Sequence, residues 1–199
     1  KETSIPSNIK IISAYAFEYA SITNISFPKD SNLETIKSYA FANTRLKKIV
    51  LPPSVQHLED HCFFNIPQLQ QCDFSGETIG DYAFSQSGLT SFVVSNHTKY
   101  IGKWAFAYCK SLKSVSFDVD SKIKTICKFA FANSNVESLS LPSSIECLED
   151  GWCYGISKLN DISVSPKNEK FMLYNKSLLI FDKKVIVFAK RNIVEVTIP

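Results

Sequence analysis

The chain contains little methionine, glycine and histidine, and it has no long hydrophobic run. Its 199 residues include one Met, three His and six Gly, against 15 Phe. So few glycines leave no Gly-rich loop of the kind that binds phosphate. The longest apolar runs, Leu178 to Phe181 and Val185 to Ala189, are far shorter than the roughly 20 residues that a membrane helix needs. One Met among so many Phe indicates a core that recurs in register rather than one filled by adaptable side chains.

Neither sign of charge is in large excess. The formal net charge is +3, and residues 166–199 hold seven Lys or Arg against three acids, while the remainder is nearly neutral. Nucleic-acid recognition needs a clustered basic face, so we expect no nucleic-acid partner. Because the apolar runs are short, we also expect no membrane insertion of this segment. The sequence shows no initiator Met, no signal peptide and no polar capping repeat at either end. We therefore expect a fragment of a longer array, whose neighbouring repeats it contacts.

What the chain does contain is a recurring step from a small residue to an aromatic one, clearest in Tyr39-Ala40-Phe41. The copies follow one another at intervals of 21 to 25 residues: Ala16-Phe17, Ala40-Phe41, Cys62-Phe63, Ala83-Phe84, Ala105-Phe106, Ala130-Phe131 and Cys153-Tyr154. A repeat of this length indicates a solenoid, in which each unit packs only on its neighbours.

Further apolar columns align with that step. The first column contains Ile12, Ile36, Leu58, Ile79, Ile101, Ile126 and Leu148. Each unit ends in a Leu-x-x-Ile-x-Leu pattern, and residues i and i+2 of a strand face the same side. In one unit this directs Ile49 and Leu51 inward, and Lys48 and Val50 outward. We predict a parallel sheet with one short strand per unit, and a second extended piece around the first column.

The segment around the Ala-Phe step should form the return path of each unit. Ser38, Asp60 and Asp81 precede it at the offset of a helix N-cap. This predicts one short helical or 3₁₀ turn per unit, with the Phe in the core. Immediately before the step lies a column of rings: Tyr15, Tyr39, His61, Tyr82, Trp104, Phe129 and Trp152. Such a column is typical of half-buried packing, and a stripe on which a ligand stacks is the alternative.

The period changes after Val164. We divide the chain into a solenoid of about seven units over residues 1–165 and an extended unit over residues 166–199. Within the extended unit, residues 171–189 predict two apolar strands joined at Asp182 to Lys184, with an earlier turn at Asn175-Lys176. Residues 193–199 then resume the solenoid strand and lead into a further repeat, which makes about eight units.

The columns resemble the BspA-like leucine-rich repeats, whose consensus is close to I-x-x-I-G-x-x-A-F-x-x-C-x-x-L-x-x-I-x-I-P. The units IKSYAFANTRLKKIVLP, IGDYAFSQSGLTSFVV and IGKWAFAYCKSLKSVSF show the resemblance, which extends over essentially all 199 residues. The consensus Cys survives only at Cys109, and the consensus Gly only at Gly80 and Gly102. The resemblance implies a strand-dominated α/β leucine-rich-repeat solenoid. It also implies surface proteins, of bacteria and some protists, that attach to host proteins or cells.

The outward strand positions form the candidate face for a protein partner. They are Lys48, Val50, Gln71, Asp73, Ser91, Val93, Ser114, Ser116, Ser138, Ser140, Asp161 and Ser163. The two acids lie four units apart, too far to act as a catalytic pair, and no His accompanies the serines. We therefore expect no enzyme activity and no cofactor. With the resemblance, this predicts a non-enzymatic, adhesin-like recognition module at the cell surface that binds a host or extracellular protein. An intracellular scaffold or signalling adaptor is the alternative.

A cluster of potential metal ligands lies at His57, Glu59, Asp60, His61 and Cys62. On a helix, His57 and His61 would share one face, as zinc motifs require. The columns argue otherwise, because they place His57 in the extended piece and stack His61 between Tyr39 and Tyr82. We therefore expect no metal site.

The six cysteines and three glycosylation sequons complete the candidates. The cysteines lie in different columns or in distant units, whereas a bridge needs Cα atoms within about 7 Å. This predicts unpaired, mostly buried thiols, which favour the intracellular alternative. The sequons begin at Asn24, Asn96 and Asn175. A sugar on Asn24 would project from the sheet face.

Overall fold

A computed structural model describes residues 2–190, and it is a parallel β-solenoid of about seven coils. Each coil contributes one strand to a front sheet and one strand to a back sheet. The front sheet contains β1 (Glu2–Ser4), β3 (Asn24–Ser26), β5 (Lys48–Val50), β7 (Gln71–Asp73), β9 (Ser91–Val94), β11 (Ser114–Phe117), β13 (Ser138–Leu141) and β15 (Asp161–Val164). The back sheet contains β2 (Ile11–Ile12), β4 (Thr35–Ile36), β6 (His57–Leu58), β8 (Thr78–Ile79), β10 (Tyr100–Ile101), β12 (Thr125–Ile126) and β14 (Cys147–Leu148).

The back sheet is continuous and follows the predicted first column. Its seven strands pair in parallel, and Ile12 lies opposite Ile36, Ile36 opposite Leu58, and so on to Leu148. The front sheet is divided into three ladders, β1–β3, β5–β7 and β9–β11–β13–β15. Strands β7 and β9 are therefore neighbours that do not share a ladder.

The core between the two sheets contains a stack of phenylalanine rings. Phe17, Phe41, Phe63, Phe84, Phe106 and Phe131 follow one another with centroid separations of 5.0 to 5.6 Å and interplanar angles of 1 to 14°. All but Phe17 are fully or almost fully buried. Because every coil repeats the same register, each ring packs on the equivalent ring of the next coil, as the columns predict.

The return segments are turns, and residues 2–190 contain no helix. The first ring of each segment has a left-handed backbone, as in Tyr39 with φ 59° and His61 with φ 59°. Alternate amides then bond to the next coil: Phe41 N donates to Cys62 O at 2.9 Å, while Ala42 N donates to Tyr39 O in its own turn at 3.1 Å. A residue at positive φ cannot continue a right-handed helix, so the prediction of a helical turn was wrong.

The predicted N-caps also act differently. Asp60 Oδ1 accepts from Asp81 N at 2.8 Å, and Asp81 Oδ1 accepts from Lys103 N at 2.7 Å. Ser38 N donates in the same way to Glu59 Oε2 at 3.1 Å. These oxygens bind the backbone of an adjacent coil rather than the first turn of a helix, so they join coils to one another.

The seventh coil is shifted by one residue from the predicted alignment. Phe131 N donates to Trp152 O, as Phe106 N donates to Ala130 O. Trp152 therefore occupies the Ala position, Cys153 replaces the Phe, and Tyr154 is 61% exposed. The ring position falls on Gly151, with φ 73°. The prediction of Trp152 in the ring column was therefore wrong; Trp152 packs against Phe188, 6.1 Å between centroids, and covers that end of the core.

The extended unit forms a three-stranded antiparallel sheet of β16 (Phe171–Tyr174), β17 (Leu178–Phe181) and β18 (Val185–Ala189). The sequence predicted two strands. Both predicted turns are present, and Asn175, Lys176, Asp182 and Lys183 have φ between 46° and 56°, as tight hairpin turns require. The strand predicted over residues 193–199 lies outside the described residues.

Candidate binding face

The outward side chains of the front sheet form one surface, which we call the front face. It contains the twelve predicted positions in two parallel rows, because Lys48 lies opposite Gln71 and Val50 opposite Asp73, and the same register continues through β9 to β15. Ser114 and Ser138 are half-buried, and the other ten are exposed. The alternation predicted from sequence is visible in β9, where Ser91 and Val93 are exposed while Phe92 and Val94 are buried.

The chemistry of the front face changes along the solenoid. Lys48, Gln71 and Asp73 give its first half charge and amide groups, next to the exposed side chains of Val50 and Val93. The second half is dominated by serine hydroxyls, and Ser140 Oγ and Ser163 Oγ are 2.8 Å apart. The face therefore offers charge with apolar contact at one end, and mainly small hydroxyl groups beside the Asp161 carboxylate at the other.

Two cavities open on the front face. The first has a volume of about 380 Å³ and lies where the ladder is interrupted between β7 and β9; Asp73, Val93 and Asp118 are among its lining residues. The second, of about 510 Å³, lies over β11, β13 and β15 and is lined mainly by serines, leucines, valines and two prolines. Each cavity combines an apolar floor with polar side chains, which is typical of recognition surfaces.

Sequence reasoning missed part of the first cavity. Ser75, Ser95 and Asp118 line it, yet all three follow their strands rather than lie within them. Asp118 is held beside β9 because its amide donates to Val94 O at 3.0 Å. The strand pattern gave no signal for these residues, since it extends only to the last inward apolar position.

From Tyr39 to Trp104 the ring column is a stack of half-buried side chains. Tyr39 and His61 are 4.4 Å apart, His61 and Tyr82 4.5 Å, and Tyr82 and Trp104 5.9 Å, with near-parallel planes. The stacking of His61 between Tyr39 and Tyr82 is as predicted. Burial lowers the pKa of His61, while Asp60 and Asp81 oppose that effect.

The residues considered as metal ligands are dispersed. His57 is exposed on β6, its Nδ1 3.1 Å from Thr78 Oγ1, while Cys62 is fully buried and His61 is held in the ring stack. Within residues 2–190, no three His, Cys, Asp or Glu side chains are arranged to hold a metal ion.

Most of the cysteines are buried. Cys62, Cys72 and Cys109 are buried, Cys127 is half-buried and Cys147 is exposed, and none of these five forms a disulfide. Burial raises the pKa of Cys109 and that of Cys127 to about 11 each. These thiols are therefore protonated at neutral pH, and the buried ones act as small apolar side chains.

The three sequons differ in accessibility. Asn24 is exposed on β3, and Asn175 is exposed in a hairpin turn. Asn96 is half-buried, and the Thr98 hydroxyl of its sequon is buried and donates to Gly76 O at 2.9 Å. In the folded chain, Asn24 and Asn175 remain the accessible acceptors.

Residues 2–190 include no helix with the length and apolar character needed to cross a bilayer. The structure is similar to three solved bacterial proteins. The pneumococcal vaccine antigen PcpA matches with TM-score 0.74 and 24% identity over 96% of this chain and 46% of that chain. A leucine-rich repeat protein from Eubacterium ventriosum matches with TM-score 0.71 and 26% identity over 87% and 46%, respectively. One from Bacteroides ovatus matches with TM-score 0.65 and 24% identity over 84% and 52%.

This chain thus spans about half the length of the solved structures that it matches. No curated protein sequence matches it. The family model described as BspA type leucine rich repeat region matches residues 1–78 and 77–182, with six copies. Those matches cover most of the repeating columns, and the chain therefore belongs to the BspA-type leucine-rich repeat family.

Proposed function

We propose that this chain is a non-enzymatic recognition section of a cell-surface leucine-rich-repeat protein, and that its front face binds a host or extracellular protein. The observation that supports this most directly is the front face itself. Twelve side chains from β5 to β15 lie on one surface, in register within each of two ladders, and ten of them are exposed. A regular array of exposed side chains on a rigid solenoid is the kind of extended surface that repeat proteins use for binding.

The family supports the surface location, because the resemblance implies attachment to host proteins or cells. An intracellular scaffold is the second candidate, and one observation favours it. Five cysteines, at positions 62, 72, 109, 127 and 147, form no disulfide, which is the usual state in a reducing compartment. Both candidates use the same face, so they differ in where the partner is found.

The test measures binding of the fluorescently labelled chain to cultured epithelial cells, before and after mild protease treatment of the cells. We expect saturable binding that protease removes, since the partner is a protein. The double variant Val50→Lys/Val93→Lys should weaken binding at least about tenfold, because it places two long, positively charged side chains at the centre of the contact.

The matched control is Ile11→Lys/Val185→Lys. These side chains are 50% and 52% exposed, against 51% and 52% for Val50 and Val93, but they lie on the back sheet and the hairpin. The control should bind like the wild type. Absence of saturable binding would contradict a cell-surface partner, and equal losses in both double variants would show that the front face is not the contact.

A further inference from the structure

A cavity lies in the middle of the front face, at one of the two interruptions of the front sheet. Strands β5 and β7 share a ladder, and β9 continues into β11, but β7 and β9 do not pair. The cavity of about 380 Å³ opens at this position. Its lining comes from several coils, with Asp73, Val93 and Asp118 among its residues, so a partner side chain that enters it contacts more than one coil.

Two carboxylates face this cavity. Asp73 and Asp118 both line it, and neither forms an ion pair among residues 2–190, where the ion pairs are Lys10–Glu34, Glu77–Lys99 and Lys124–Glu146. Gln71 Nε2 donates to both oxygens of Asp73, at 3.0 and 3.2 Å, and thereby fixes the carboxylate. The nearest cation in the sheet register, Lys48, lies opposite Gln71 and not opposite Asp73.

Apolar side chains lie in the same part of the front face as Asp73. Val50 lies opposite it in the ladder and is 51% exposed, and Val93, in the cavity wall, is 52% exposed. Leu51 and Phe92 line the cavity from the core side. A site with negative charge beside exposed methyl groups is complementary to a side chain that has an apolar stem and a cationic head.

We propose that this cavity binds a basic side chain, arginine above all, presented by the protein partner of the front face; the inference deepens the proposed function and rests on it. The methylene stem contacts Val50 and Val93, and the guanidinium lies between Asp73 and Asp118. Arginine fits better than lysine, because its planar fork donates to two acceptors at once. An acidic or neutral group would leave the two carboxylates uncompensated, which selects against such partners.

The test uses the isolated chain and two short peptides, acetyl-Gly-Arg-Gly-amide and its citrulline analogue, which has nearly the same shape and no charge. Amide chemical shifts in ¹H–¹⁵N spectra are followed during each titration. We expect the arginine peptide to shift the amides of residues 71–75, 91–95 and 118, with saturation in the millimolar range. The citrulline peptide should cause much smaller shifts, and added salt should weaken the arginine response.

The variants Asp73→Asn and Asp118→Asn should each weaken the arginine peptide by about two- to fivefold, the range of exposed ion pairs. Asp161→Asn is the matched control, since it removes an exposed carboxylate from the same face outside the cavity. Scattered shifts, an equal response to citrulline, or an equal loss in Asp161→Asn would overturn the proposal. The peptide titration involves no cells, so a negative result there is distinct from a failure of the proposed function. The front-face double variant would still abolish cell binding if the face binds its partner without an arginine in this cavity.

Discussion

Single side chains contribute very unequally to this molecule, and Phe84 and Val50 illustrate the difference. Phe84 is fully buried and contacts the rings of Phe63, Phe92 and Phe106 at 5.3 to 5.4 Å. Phe84→Ala should lower the free energy of unfolding by about 3–5 kcal/mol, since two coils lose contacts with its ring. Val50→Ser, at a half-exposed site, should change it by less than about 1 kcal/mol. Urea denaturation measures both, and similar losses would mean that the inward and outward assignments are wrong.

A second residue-scale prediction concerns backbone strain at Gln86. This exposed residue has φ 61°, and its amide donates to Ala107 O at 2.9 Å, a bond that glycine would retain. Glycine adopts positive φ without the steric cost of a Cβ. Gln86→Gly should therefore raise the free energy of unfolding by about 0.5–1 kcal/mol, seen as a higher midpoint in thermal unfolding. Gln86→Ala keeps the Cβ and should have little effect; a lower midpoint for the glycine variant would show that the Gln86 side chain is itself stabilising.

At the scale of the element, each return turn joins its neighbours through hydrogen bonds and stacked rings, and His61 makes one such turn sensitive to pH. Burial lowers the pKa of His61 in the folded chain. The unfolded chain therefore binds the proton more readily. The stability associated with a neutral His61 is present above the ordinary pKa of about 6.5 and is lost as the pH falls from there through the lower pKa of the folded chain.

The variant His61→Tyr tests this prediction, since tyrosine occupies the same position in two neighbouring coils, at Tyr39 and Tyr82. The ring stack should persist, and the loss of stability between pH 7 and 5 should become smaller than in the wild type. Urea unfolding across this pH range gives the free energy of unfolding of each protein. In the difference between the two proteins, the contributions of the carboxylates that both contain cancel. Identical pH profiles would mean that His61 does not contribute.

The elements also show what the sequence determines. The register of Ile36 against Leu58 was predictable, because a repeated apolar column can be buried in only one alignment. The turn conformation was missed, because tyrosine and tryptophan rarely adopt positive φ. A signal was present: Asn43, Asn65 and Asn133, each four residues after a ring, are of the type that tolerates this conformation. Gly151 and Gly155 have positive φ and are also four residues apart. This spacing puts Gly151 at the ring position, and it would have revealed that Trp152 is shifted by one residue.

The candidate site was predictable to a similar extent. Alternation in the strands placed all twelve front-face positions, since period 2 fixes which side chains point outward. The cavity was not predictable, because it depends on the missing pairing between β7 and β9 and on Asp118, which lies beyond its strand. Both are properties of how coils meet, which the pattern within a single unit does not specify.

On the scale of the whole molecule, the contacts are between neighbouring coils, so stability should behave as a sum of units and nearest-neighbour terms. Both the seven-stranded back sheet and the Phe stack connect each coil only to the next. This makes the energetic coupling between two core residues depend on the number of coils between them. In a globular domain with a single core, the separation of two residues along the chain would not determine their coupling energy.

Double-mutant cycles test this dependence with one chemical change, Phe→Leu, which is mild enough to keep the chain folded. Phe84 and Phe106 stack directly, with centroids 5.4 Å apart, whereas Phe41 and Phe131 are separated by the rings of three coils. The adjacent pair should show a coupling energy of about 0.5–1.5 kcal/mol, as stacked aromatic pairs do. The distant pair should be additive within about 0.5 kcal/mol in urea unfolding. Equal coupling in both cycles would mean that a change in one coil alters the packing of a ring four coils away, which would contradict a stability made of nearest-neighbour terms.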